Sequence, residues 1–167
     1  LGNTPDLALA ELHRVFQRLE FKFNPSLLHA NVIHFNDIDL PEKSLMSQLG
    51  SSVKIGKVIG TVGFSHLANR IVKHYLLDSS LPLALSSFHL SDKKLRKIGS
   101  QIKKEVKGQG KSLRFRILQN PQESAGILTD YAEYQIYQTD AGYAVAAPLA
   151  VQDIDRWNQK DYGRPAS

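Results

Sequence analysis

Apolar residues change their period several times along this chain, and each change predicts an element. Ala8, Leu12, Val15, Phe16 and Leu19 share one face of a 3.6-residue period, which predicts a helix from about Pro5 to Leu19. Thr4-Pro5-Asp6 opens it with a capping hydroxyl, a first-turn proline and an acid at the positive end of the helix dipole. Phe21 and Phe23 alternate as in a short strand, Asn24-Pro25-Ser26 turns the chain, and Leu27 to Phe35 reads as a second strand. Asp39 and Glu42 fit a capping box before a short helix through Leu45, Met46 and Leu49, and Val53, Ile55 and Ile59 mark a further strand. With a first strand restored before Leu1, this part reads β-α-β-β-α-β, the ferredoxin-like order.

Gly60-Thr61-Val62-Gly63 marks the expected boundary. Beyond it, Leu67, Ile71 and Tyr75 predict a helix over about 65–77, and Leu81 to His89 a buried strand. Leu95, Ile98, Ile102 and Val106 then mark a helix capped by Ser91 and stopped by Gly108-Gln109-Gly110. Leu113, Phe115 and Ile117 alternate with Arg114 and Arg116 as a half-buried strand does. Asn120-Pro121-Gln122-Glu123 opens a short helix through Leu128. Tyr134 and Ile136 mark a strand that turns at Thr139-Asp140-Ala141-Gly142 and returns through Tyr143 to Val151, with Pro148 arguing for a sheet edge. The whole is a mixed α+β and α/β chain.

Charge changes this picture in one place. Residues 91–118 hold ten of the 21 Lys and Arg residues against Asp92 and Glu105, a local charge of +8. The other residues, with eleven cations and fourteen acids, carry −3. Such asymmetry is the footprint of a polyanion partner. On the helical wheel the lysines take the face opposite the apolar one, and the next strand continues the charge with two guanidiniums. The candidate nucleic-acid ligands are Lys93, Lys94, Lys97, Lys104, Lys107, Lys111, Arg114 and Arg116. The two arginines are the best phosphate ligands, because a strand holds a side chain more rigidly than a helix surface holds a lysine. Phe115, Tyr131, Tyr134, Tyr137 and Tyr143 are the neighbouring aromatics; most are expected in the core, with some free to stack on unpaired bases.

Catalytic chemistry is hard to find. The chain has no cysteine, so thiolate metal sites, disulfides and cysteine nucleophiles are excluded. The six histidines have no metal-ligand spacing, and Gly56, Gly60 and Gly63 form neither a Walker loop nor a dinucleotide fingerprint. There is no G-x-S-x-G elbow, and Asp153, Asp155 and Asp161 read as solvated linker residues. No apolar run approaches the length of a membrane span. The start at Leu1, with Met46 as the one methionine, and the polar end DYGRPAS predict a fragment whose ends were cut from longer elements.

Three strings carry a family resemblance: LGNTPDLALAEL at the start, SSVKIGKVIG at 51–60 and AVQDIDRWNQKDYGRP at 150–165. Together they resemble the N-terminal half of THUMP-domain tRNA guanosine N2-methyltransferases, of the class acting on the guanine at position ten. The resemblance implies a ferredoxin-like domain over 1–61 lacking its first strand, a THUMP RNA-binding domain over 62–151, and a linker over 152–167 leading to a methyltransferase domain. It further implies a grip on the tRNA acceptor stem and 3′ CCA end, with S-adenosylmethionine as the cofactor of that absent domain, in the cytoplasm. The Asn/Asp-Pro-Pro-aromatic motif of such a domain is not in this sequence; Asn24-Pro25-Ser26 and Asn120-Pro121-Gln122 differ from it. The chain is therefore expected to bind RNA with no catalytic residue, cofactor or metal of its own. Two other readings stand beside this one: a THUMP module of a 4-thiouridine or pseudouridine enzyme, and a basic module for an acidic protein partner.

Overall fold

In the computed structural model, which describes residues 5–29, 31–35, 42–50, 52, 54–78, 80–120 and 130–152, helix α1 (Pro5–Arg18) forms on the first apolar face. Its buried side chains Leu12, Val15 and Phe16 meet Leu45 and Leu49 of the segment containing helix α2 (Glu42–Gln48). Phe21 and Phe23 make no strand. Their rings close over Phe16 instead, with Phe35 stacked on Phe16 at 4.7 Å. Burying a phenyl group outweighs a weak local preference for extended pairing. The run expected as one strand is a hairpin, β1 (Pro25–His29) antiparallel to β2 (Val32–Phe35).

The larger sheet has five strands in the order β3-β7-β6-β4-β5. They are β3 (Lys54–Val62), β4 (Leu83–Ser87), β5 (Phe115–Ile117), β6 (Ala132–Thr139) and β7 (Gly142–Val151). β4 runs parallel to both β5 and β6, whereas β7 is antiparallel to β6 and β3. The expected boundary at 60–63 coincides with the end of β3. Yet β3 pairs along its length with β7, so the strand assigned to the first unit is built into the sheet of the second. Pro148 does not mark an edge, because β7 lies between β3 and β6. The proline is tolerated where the register against β3 shifts, opposite Gly56, since a bulge suspends the regular ladder there.

A short 3₁₀ turn (Phe64–His66) leads into α3 (Leu67–Asp78), and α4 (Asp92–Gly108) joins β4 to β5. Leu67, Ile71 and Tyr75 of α3 and Leu95, Ile98, Ile102 and Val106 of α4 are buried against Leu83, Leu85, Tyr134, Ile136 and Val145 of the sheet. Each such side chain taken from water contributes roughly 1.5–3 kcal/mol before chain entropy is counted. The helix ends where Gly110 takes φ +76° and its N–H reaches the Lys107 carbonyl, a left-handed stop that suits glycine. On the other side, α2 lies against β3 and β7, and β1 touches β6. The alternate sheet positions Ser86, Glu133, Gln135, Ala144 and Ala146 are buried too. The architecture is mixed α+β. The capping box at Asp39, the short helix after Asn120 and the acids at 153, 155 and 161 lie outside the described residues.

Candidate nucleic-acid interface

All eight basic residues singled out by the sequence are exposed: Lys93, Lys94, Lys97, Lys104 and Lys107 on α4, Lys111 and Arg114 after it, and Arg116 in β5. Burial of Leu95, Ile98, Ile102 and Val106 forces the charges outwards, as an amphipathic period must. Among the described residues none of the eight is ion-paired to a carboxylate. Asp92 in the first turn accepts instead from the Gln119 side-chain amide at 2.6 Å, which ties the start of α4 to the chain just beyond β5. Glu105 is half-buried. Among the described residues, then, no ion pair compensates the positive field of this region.

The charges do not form one flat ridge. Phe115 packs beneath α4 at Gly99, so the side chains on either side of it point to the opposite face of the sheet. Arg116 is in register with Ala84, and Ala84 with Glu133, on the face away from α4. The lysines and the arginine pair thus lie on two sides of the edge strand, and the positive surface wraps around β5. The strand itself contributes donors. Leu83 N–H donates to the Arg114 carbonyl and Leu118 N–H to the Leu85 carbonyl, which turns the backbone groups of Arg114, Arg116 and Leu118 toward β4. By alternation the N–H groups of Phe115 and Ile117 face outward from the sheet.

Two cations outside the eight expected from the sequence belong to this surface. Arg96 and Lys103 lie three residues before and four after Gly99, so the helical period puts them on the flank nearest β5, and both are exposed. The signal was available in Gly99: a glycine inside a helix of seventeen residues marks the line of closest approach to a neighbour. Of the aromatics considered for stacking, Phe115, Tyr134 and Tyr143 pack into or against the core. Tyr137 is half-buried and donates from its hydroxyl to Gln135 Oε1. Tyr131 alone of the five lies beside one of these cations, with the Arg116 guanidinium carbon 5.0 Å from its ring centroid.

A second polar centre, not foreseen from the sequence, lies within the sheet. Lys54 Nζ and Glu133 Oε1 are 2.6 Å apart with side-chain exposures of 8% and 0%. Ser86 Oγ reaches the same oxygen at 3.4 Å, while Glu133 Oε2 has no described partner. Burial pushes the Glu133 carboxyl above its ordinary range, against the opposing pull of Lys54. Burial, then the nearby Glu133 charge, raises the Tyr137 phenol as well. This centre is closed to solvent, and its geometry is that of a tie between β3 and β6. Nothing in the local sequence announces it, because Lys54 and Glu133 meet only through strand pairing.

The histidines are dispersed: His74 Nδ1 lies 2.9 Å from the Tyr134 hydroxyl, and His89 Nδ1 accepts the Gln138 amide. Among the described residues there is no group of three His, Asp or Glu side chains arranged to hold a metal ion, and no helix is long and apolar enough to cross a membrane. Comparison with known protein families, characterised proteins and solved structures finds no match to this chain.

Proposed function

We propose that this chain binds RNA, and specifically the acceptor stem and 3′ CCA end of tRNA, for a modifying active site in another domain. The observation that supports it most is the set of exposed cations placed on both sides of β5, with no ion pair among the described residues and with outward backbone donors between them. Lysines and arginines around an edge whose alternate N–H groups turn away from β4 suit phosphate oxygens that approach from several directions. The regions 1–61 and 62–151 are proposed as a ferredoxin-like unit and a THUMP unit, with β3 of the first paired to β7 of the second, and 152–167 as the linker onward. For the first, the support is the order α1, β1, β2, α2; for the second, a basic helix leading to an edge strand. The partner domain is proposed as a guanosine N2-methyltransferase using S-adenosylmethionine, working in the cytoplasm, and no residue of this chain is assigned to that cofactor.

The test is tRNA binding across a salt series. If six of these groups neutralise phosphates, the log–log slope falls at about −4 to −5, and a flat dependence rejects the reading. Trimming the CCA end separates an acceptor-end reader, which loses affinity, from a surface for acidic proteins, which does not distinguish the two RNAs.

A further inference from the structure

We propose that Arg116, backed by the ring of Tyr131, is a stacking platform for an unpaired nucleobase of the bound RNA. This rests on the RNA-binding reading and assigns one subsite within it. Arg116 and Ala84 are in register on the sheet face away from α4, and Ala84 carries only a methyl group. The arginine can therefore lie across β4 toward Tyr131, which follows Asp130 at the start of β6. Its guanidinium carbon is 5.0 Å from the ring centroid, inside the ~6 Å reach of a cation–π contact. Tyr131 is half-buried and packs with the buried Ala84 and Leu118, which support the ring. The guanidinium, on an exposed residue, thus forms the outer layer of a supported stack.

A flat cation held on a ring does something a lysine cannot. It offers a delocalised plane to a base while keeping its charge for the adjoining phosphate. The position also selects the kind of nucleotide. The α4 lysines lie on the opposite face of the sheet, on the solvent side of the helix that packs there. A duplex lying along α4 keeps its bases paired inside the helix, and only an unpaired nucleotide can turn around the β5 edge to reach Arg116. The lysine side therefore holds backbone, and the Arg116 side reads whether a free base is present.

The experiment compares the full 167-residue chain bound to two RNA hairpins, one blunt and one with a short single-stranded 3′ overhang containing 2-aminopurine. The expected result is tighter binding of the overhang hairpin by roughly ten- to hundredfold, with quenching of 2-aminopurine. Arg116→Lys, which keeps the charge, should abolish both the advantage and the quenching. Tyr131→Phe should retain the advantage, whereas Tyr131→Leu should lose it. An Arg116→Lys protein that keeps the overhang advantage overturns the subsite while the RNA-binding reading stands. A wild-type chain that binds the two hairpins alike overturns the subsite and the acceptor-end reading together, leaving general RNA binding. Failure to bind either hairpin overturns both.

Discussion

Gly99 lies so close to the ring of Phe115 that a Cβ at position 99 would overlap three of its ring atoms. This one contact sets the distance between α4 and the edge strand, and so between the two halves of the cationic surface. Glycine in a helix costs about 1 kcal/mol relative to alanine, and here that cost is offset by close packing. Gly99→Leu should destabilise the chain by about 1–3 kcal/mol, measured as a lower urea midpoint. Phe115→Leu in the Gly99→Ala background should recover stability relative to Gly99→Ala alone. An unchanged midpoint in Gly99→Leu means that the helix is free to lift from the strand.

The tie between Lys54 and Glu133 should behave as a buried pair. Glu133→Ala removes the carboxylate 2.6 Å from a nearly buried ammonium and should cost about 3 kcal/mol. Replacing both groups with apolar residues, Lys54→Met with Glu133→Leu, should cost much less than the sum of the single changes. Urea unfolding of the four proteins in a double-mutant cycle gives the coupling, and additive losses show that the pair is not energetically linked.

The raised Glu133 carboxyl also fixes the sign of a pH effect. The folded state binds this proton more tightly than the unfolded chain does. Its favourable contribution is complete below the unfolded carboxyl value and is lost as pH rises through the higher folded value. Comparing stability against pH for wild type and Glu133→Gln should show this decline in the wild type only. Tyr137 repeats the pattern in alkali, since its phenol is also raised, and Tyr137→Phe should remove the loss of stability that begins near the ordinary tyrosine range. Curves that stay parallel between each variant and wild type contradict the assignment.

Within the basic surface, position along the helix should matter more than charge alone. Arg96 and Lys103 flank Gly99, whereas the helical period places Lys94 about 140° away from it. Arg96→Gln with Lys103→Gln should weaken tRNA binding and reduce the salt slope by roughly 1–2, and by more per charge than Lys94→Gln does. Arg114→Ala with Arg116→Ala should weaken binding with the melting temperature unchanged, because both side chains are exposed. Equal losses from every cation would favour a diffuse field over an edge-centred site.

Several elements are legible in the amino-acid pattern alone. The apolar periods of 8–19 and 95–106 are realised as α1 and α4, because a helix depends on residues three and four apart. The Thr139–Gly142 turn is equally readable, being local, and joins β6 to β7 as expected. Phe21 and Phe23 mislead because alternation in a short aromatic run has the same pattern whether the rings pair across a strand or close over Phe16.

By itself, then, the sequence determined the helical faces, the hairpin at 139–142 and the concentration of charge between Ser91 and Leu118, all set by neighbours within a few residues. Tertiary structure decided which strand lies beside which. That choice moved β3 into the larger sheet, put β7 inside it despite Pro148, brought Lys54 to Glu133, and turned Arg116 away from the lysines toward Tyr131. The physical reason is that strand pairing satisfies backbone groups far apart in the chain, and a side chain's face follows from its register with those partners rather than from the residues next to it.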